Sequence, residues 1–378
     1  MTPFLRYATE KQAEIGALLG ELVECESPSD TPDAVNRFVD LLVERARGLA
    51  TAQTFAAAGY GKHLRLEFDL PGSGKQGQIL ALGHSDTVWP LGTLDSMPFR
   101  QADGRFWGPG VLDMKAGLAF FLYAARALRD LDIPAARKVV LLVVSDEEVG
   151  SSSSRALTEA EARKSDFVLV LEPGTGLSGK LKTARKGVGD YTVMVEGRAA
   201  HAGVDFENGA SAIVEAARQV VEITGFTDLS RGVTVNPGVI RGGTRTNVIA
   251  AEARVEVDIR IARLSDAAGL DEKFRALRAF DPRCRVRVDG GLNRPPMERT
   301  GGVVKLFERA REIGAGMGIE IEESATGGGS DGNFTAALGV PTLDGLGGVG
   351  EGAHARNESI LMNRIADRVA LLAELLAG

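Results

Sequence analysis

The run Lys138-Val139-Val140-Leu141-Leu142-Val143-Val144 constrains the fold more than any other stretch of the chain. Its apolar residues are consecutive and mostly β-branched, so they cannot alternate between a core and a solvent face. A strand built from them is buried on both sides, which is the habit of a central parallel strand covered by helices. Residues 78–82 and 166–171 have the same character. Helical periodicity surrounds these runs. Residues 8–24 place Ile15, Leu18, Leu19 and Leu22 on one face, 34–49 read as a second amphipathic helix, and a long helix is expected at about 116–128. The expected class is α/β.

Each of the three buried runs ends in chemistry. The first leads into Gly83-His84-Ser85-Asp86-Thr87-Val88, the second into Ser145-Asp146-Glu147-Glu148-Val149-Gly150, and the third into Glu172-Pro173-Gly174. In open α/β sheets, sites lie outside the carboxyl ends of the strands. His84 and Asp86 are two residues apart and would point to one side of an extended backbone. They suit a metal-ligating imidazole with an orienting carboxylate; the plainer alternative is a polar strand end in water. Asp113, near the start of the long helix, is either its N-cap or a buried carboxylate ligand kept ionised by the helix dipole. Residues 63–68 alternate like a half-buried strand, with His63 read as an exposed member.

The pattern changes past Glu172. Strands are expected at 189–198, 232–240, 247–261 and 283–288, with helices at 208–224 and 266–279. The order β-α-β-β-α-β is that of a ferredoxin-like domain. From Pro296 the α/β pattern resumes, with helices near 303–313 and 360–376 and a strand at 340–343. Residues 1–185 and 294–378 are therefore expected to form one split domain, and 186–293 an inserted one.

Composition narrows the partners. The net charge is −7, and no basic run or aromatic-interleaved basic stripe occurs, which argues against nucleic acid. No apolar stretch is long enough to span a bilayer, so no membrane is expected. The first nineteen residues carry Arg6, Glu10, Lys11 and Glu14 and lack the apolar core of a signal peptide, so a cytoplasmic location is expected. Cys25 and Cys284 are far apart and form no disulfide framework. The acids flanking Cys25 oppose a reactive thiolate.

His84, Asp86, Asp113, Glu147, Glu148, Glu172 and His354 make a set rich in carboxylates, with two imidazoles and no thiolate. That suits a pair of borderline divalent ions, zinc foremost, with cobalt or manganese as alternatives. One carboxylate can bridge two ions about 3.5 Å apart. The adjacent Glu147 and Glu148 suit a split role, one ligating and one acting as general base. Two other patterns lack their context. GxGxxG at 345–350 is followed by Glu351-Gly352-Ala353-His354 and not by a helix start. GxSxG at 328–332 has no buried strand before it, as a nucleophile elbow requires.

Along the chain stand GHSDTV (83–88), GPGVLDMKAG (108–117), SDEEVGS (145–151), LEPG (171–174), GRAAHAG (197–203), GGTRTNVI (242–249), VDIRIA (257–262), TGGGSDG (326–332) and GEGAHARNES (350–359). In order and spacing they resemble the co-catalytic zinc amidohydrolases, a family that includes glutamate carboxypeptidase, acetylornithine deacetylase, succinyl-diaminopimelate desuccinylase and aminoacylase. Glutamate carboxypeptidase is the nearest. The resemblance covers essentially the whole chain. It implies a split zinc-peptidase domain, its mixed sheet flanked by helices, carrying a ferredoxin-like dimerisation (lid) domain and forming a homodimer.

The resemblance also implies roles. His84 and Glu172 would hold one zinc, Glu148 and His354 the other, and Asp113 would bridge them. Asp86 would orient His84, and Glu147 would be the general base. His201 would stabilise the oxyanion, from its own or a partner's chain. Glu at 172 favours an enzyme that recognises a free carboxylate. Asn247, Arg260, Arg294 and the backbone N–H of Gly328 are substrate-binding candidates, and Lys180 matches the position that takes a glutamate side chain. The expected reaction is cleavage of the amide to a C-terminal amino acid, glutamate foremost, in small N-acyl or peptidyl substrates. The alternatives are an N-acyl-amino-acid deacylase of the acetylornithine or succinyl-diaminopimelate type and, from another class, a non-catalytic metal-dependent binding protein.

Overall fold

In the computed structural model, which describes all 378 residues, Lys138–Val144 lies inside a six-stranded sheet. Across its width the order is Ala50–Phe55, His63–Phe68, Lys138–Val144, Gln78–His84, Phe167–Val170, Thr342–Leu343. The last four are parallel to one another, and the first two are antiparallel additions. The sheet is therefore mixed. The uninterrupted apolar runs serve both of its faces. Leu80, Leu82, Val140, Leu142, Val144, Val168 and Val170 share one apolar cluster. Their neighbours Ile79, Ala81, Val139, Leu141, Val143, Phe167 and Leu169 enter another, larger one. That larger cluster also takes up helix Ala116–Asp130 and the helices Pro3–Glu10 and Ile365–Ala377, which pack against it.

The chain divides into two units, Met1–Ala184 with Arg299–Ala325 and Ser330–Gly378, and Arg185–Glu298 with Thr326–Gly329. The second unit runs strand Gly187–Glu196, helix Ala212–Thr224, strands Thr234–Gly242 and Glu252–Ile261, helix Ala267–Arg275 and strand Arg285–Arg294. Its antiparallel sheet places the first strand between the third and the fourth, which is the ferredoxin-like order. One face of that sheet supplies the core, with Tyr191 stacked on Phe274 at 3.8 Å between ring centroids.

Three local readings are corrected. The first helix is two, Pro3–Glu10 and Gln12–Glu24, because Thr2 caps a turn that Pro3 opens and Lys11 leaves helical geometry. His63 is buried, at 3% exposure, because Ser145 and Ser153 of the loop after Lys138–Val144 close over its ring nitrogens. Asp113 is no N-cap: the helix begins at Ala116 without a side-chain cap, and Asp113 sits at φ −113°, ψ 96° in the irregular segment before it. A hairpin of Arg100–Ala102 and Arg105–Trp107 was not anticipated. Its turn, Asp103-Gly104, holds both residues at positive φ, the Asp-Gly signal of a type I′ turn.

Candidate metal centre

His84 ends its strand with its ring fully enclosed. Nδ1 lies 2.8 Å from the backbone carbonyl oxygen of Asp86. A carbonyl only accepts, so Nδ1 carries a proton and Nε2 is the nitrogen left to hold either a second proton or a metal ion. Nε2 faces Asp113 Oδ1 at 3.1 Å and Glu172 Oε1 at 3.7 Å. The carboxylate of Asp86 is 3.5 Å from Nδ1. Its closer partners are elsewhere: it accepts from Ser29 Oγ at 2.8 Å and from the backbone N–H groups of Glu147 and Glu148 at 3.3 and 3.2 Å. Asp86 thus orients the imidazole mainly through its main chain and fastens the next loop through its side chain.

His354 comes from the opposite side, at φ 62°, a left-handed conformation that costs energy in a residue with a Cβ and recurs at functional sites. Its Nε2 is 3.3 Å from Asp113 Oδ2 and 3.3 Å from Glu148 Oε2. The two oxygens of Asp113 therefore face different histidines. Two groups able to hold a metal ion result, His84 with Asp113 and Glu172, and Asp113 with Glu148 and His354, the ligand atoms of each lying within 4.8 Å of one another. Glu147 and Glu148 occupy one short 3₁₀ turn closed by Gly150 N–H to Glu147 O at 3.0 Å. Glu147 is half-buried and precedes Glu148, a member of the second group, in the chain.

The electrostatics fit a cation. Burial alone would lower the His84 pKa, but hydrogen bonds to Asp113 and Asp86 raise it well above that of a free imidazole. Hydrogen bonds to Asp113 and Glu148 push His354 up to about 10. Burial would raise the Asp113 carboxyl, yet its bonds to His354 and His84 hold it well below the usual carboxylate range. The imidazoles take up protons because carboxylates outnumber them, and divalent cations would meet the same excess of negative charge. Glu148 Oε1 is buried with no hydrogen-bond partner, a costly state for a carboxylate oxygen that a bound ion relieves. The donors are nitrogen and oxygen without thiolate, a set suited to zinc, cobalt or manganese.

The remaining candidates lie elsewhere. Lys180 is half-exposed, its ammonium 3.1 Å from Glu322. In the second unit His201 is exposed, and its Nδ1 accepts from Gly203 N–H at 3.1 Å. Asn247 is exposed and accepts from Ala202 N–H through its carbonyl at 3.0 Å. Arg260 pairs with Asp258 at 2.7 Å and donates to Gly327 O at 3.3 Å. Arg294 is buried. Gly328 N–H reaches Thr326 Oγ1 at 3.4 Å, and its carbonyl accepts from Arg185 at 3.1 Å. Sequence reasoning passed over Arg185, a buried guanidinium. It also gave no role to Glu358, although Glu358 stands inside the quoted motif at 350–359. Glu358 accepts the Asp113 N–H at 3.0 Å.

The sequence profile of peptidase family M20/M25/M40 matches residues 80–378. Carboxypeptidase G2 from a Pseudomonas species is 30% identical over 377 residues, covering 98% of this chain and 90% of that protein. An acetylornithine deacetylase from Myxococcus xanthus is 30% identical over 300 residues, covering 73% of this chain and 77% of that one. The crystal structure of aminopeptidase PepT from Bacillus cereus has the same fold, with a TM-score of 0.82 at 24% identity over 97% of this chain and 98% of that one. On a match whose span includes both candidate metal-holding groups, the protein belongs to peptidase family M20/M25/M40, and its chemistry is metal-dependent hydrolysis.

Proposed function

We propose that the protein is a di-zinc amidohydrolase that releases a C-terminal amino acid, glutamate foremost, from N-acyl or peptidyl substrates. The observation that carries the two-ion reading is Asp113, whose Oδ1 faces His84 and whose Oδ2 faces His354. His84 and Glu172 would hold one ion, Glu148 and His354 the other, and Asp113 both; cobalt or manganese would fit the same donors. A bound pair supplies Lewis-acid polarisation of the scissile carbonyl and a water acidic enough to attack near neutral pH. Glu147 takes the proton of the attacking water and delivers it to the leaving amine. Asp86 keeps the His84 lone pair directed at the ion. Recognition falls to Arg260, Arg294, Asn247, Lys180 and the Gly328 N–H, and oxyanion stabilisation to His201.

Glutamate is supported by Glu172 and by similarity along nearly the full length of carboxypeptidase G2. Lys180 would have to release Glu322 to meet a substrate carboxylate. A homodimer through the second unit is supported by exposed apolar residues on its helix, Val214 and Val221, and on its edge strand, Val239 and Ile240. No helix is long and apolar enough to cross a membrane. A substrate panel tests the reading. Acyl-glutamates and dipeptides ending in glutamate should give the highest kcat/KM. Faster cleavage of acetylornithine by more than about tenfold, the scale on which one pocket discriminates, would overturn glutamate in favour of a deacylase. No cleavage of any member would favour a non-catalytic metal-binding protein.

A further inference from the structure

His63 is a buried histidine to which the hydrolytic reading gives no part. Its two ring nitrogens meet different partners. The Ser145 backbone N–H donates to Nδ1 at 3.2 Å, and Ser145 Oγ, which also donates to the Gly61 carbonyl, lies 3.0 Å from the same nitrogen. A donor needs an acceptor, so Nδ1 is bare and the single proton of the neutral ring is on Nε2. Nε2 faces Ser153 Oγ at 3.2 Å. Ser153 Oγ donates onward to Asp146 Oδ2 at 2.7 Å, and the same oxygen accepts the backbone N–H groups of Ser153 and Ser154 at 2.7 and 3.3 Å. The hydroxyl proton of Ser153 is thus committed to a carboxylate. No base waits for it, which separates this cluster from a Ser-His-Asp nucleophile.

Ser145 precedes Glu147 and Glu148, and Ser153 follows them. One imidazole therefore grips both ends of the loop that carries the candidate base and one candidate metal ligand. We propose that His63, as a neutral ring protonated on Nε2, is a positioning residue that clasps loop 145–153 at its neck and so sets where Glu147 and Glu148 stand. A second proton on Nδ1 would place a donor against the Ser145 N–H and open the clasp. The charged groups that face the ring are Asp146 after the Lys138–Val144 strand, Asp86 after Gln78–His84, and Asp331 before helix Gly332–Ala337; Lys62, just before its own strand, is turned to Asp40. Burial opposes their attraction for a proton and prevails, so the ring resists protonation.

The first test needs no substrate. The chain has four histidines, so long-range proton–nitrogen spectra of the metal-loaded, nitrogen-15-labelled full chain can be assigned with a His63→Asn variant. His63 should be neutral at about pH 7.5, with its proton on Nε2, and should take up a second proton only below the pH at which a free imidazole does, about 6.5. A ring charged at about pH 7.5, or one carrying its proton on Nδ1 there, overturns the proposal. The kinetic arm rests on the hydrolytic reading and uses the best substrate of the panel. His63→Leu should lower kcat on the order of 10- to 100-fold, with KM within about threefold and metal content unchanged, as expected when a reacting group is displaced by a fraction of an ångström. His63→Asn, whose amide oxygen can accept the Ser145 N–H, should recover much of that loss. A His63→Leu kcat within about twofold of the parent, or a loss carried by KM, contradicts displacement of the base. So does a His63→Asn no better than His63→Leu. If His63→Leu fails to fold, Ser153→Ala decides the arm: it frees one end of the loop with the ring intact, and should lower kcat without raising KM. An unchanged kcat there overturns the clasp. If the parent chain cleaves nothing in the panel, the hydrolytic reading has failed, while the spectra still decide the state of His63.

Discussion

Glu358→Gln probes how the shared carboxylate of the metal centre is held. Glu358 is fully buried. Its Oε1 accepts the Leu112 and Asp113 N–H groups at 2.9 and 3.0 Å, and its Oε2 accepts Gly110 N–H at 2.9 Å and the Trp89 indole N–H at 2.8 Å. It lies four residues after His354, so one side chain fastens the Asp113 segment to the His354 loop. In the glutamine variant one oxygen becomes an amino group that points donors at two donors. Two hydrogen bonds go, at about 1–3 kcal/mol for each buried group left unpaired. Part of this is offset, because burial pushes the Glu358 carboxyl up and an uncharged amide is easier to desolvate. The net expectation is about 2–4 kcal/mol of lost stability, which lowers Tm by roughly 4–16 °C in a domain of this size. Zinc affinity should fall about 10- to 100-fold, the usual effect of losing a group that orients a ligand. Thermal melts and zinc titration against a competing chelator measure the two effects. An unchanged Tm together with unchanged zinc affinity would refute the reasoning.

Glu147→Gln should retain metal and lose kcat by at least about 100-fold; kcat within about tenfold of the parent would remove Glu147 as the base. Gly117→Ala would ordinarily strengthen a helix by about 1 kcal/mol, but here the new Cβ would lie 2.1 Å from the Leu171 carbonyl oxygen. It should destabilise by about 1–3 kcal/mol in a thermal melt, and a stabilised variant would contradict the packing. In the metal-free chain the His354 pKa is raised to about 10, above its unfolded value of about 6.5. Its contribution to stability is therefore complete below about pH 6.5 and is lost as the pH rises towards 10. Melting curves at about pH 6, 8 and 10 should show the metal-free chain falling further than the metal-loaded one, in which ions replace those protons; parallel curves would count against the site.

Much of the fold is legible because its strands are extreme. An apolar run such as Lys138–Val144 has no solvent face to offer, and the ends of such strands collect His84, Glu147, Glu148 and Glu172. The burial of His63 could not be read in the same way. It depends on Ser145 and Ser153, which close over the ring from a loop more than eighty residues further along the chain. Of the two readings of Asp113, the helix cap fails for a related reason. Proximity to a helix start suggests a cap, but the residues between it and Ala116 are irregular, and Glu358, not helix geometry, receives its N–H. The part played by Glu358 requires knowing that Ser359 pairs with Trp107, across more than two hundred residues of chain. The Asp103-Gly104 turn of the Arg100–Trp107 hairpin is a legible hairpin signal, but its strands are only three residues each and show too little alternation to stand out among the surrounding glycines and prolines.

The claim on which the rest depends is that this centre holds two catalytic ions sharing Asp113. Stripping the protein with a chelator and titrating zinc back while following hydrolysis tests it directly. Activity should vanish on stripping and return to its full value only as the second equivalent per chain is bound. Hydrolysis that persists without metal, or that is complete at one equivalent, would contradict the two-ion account.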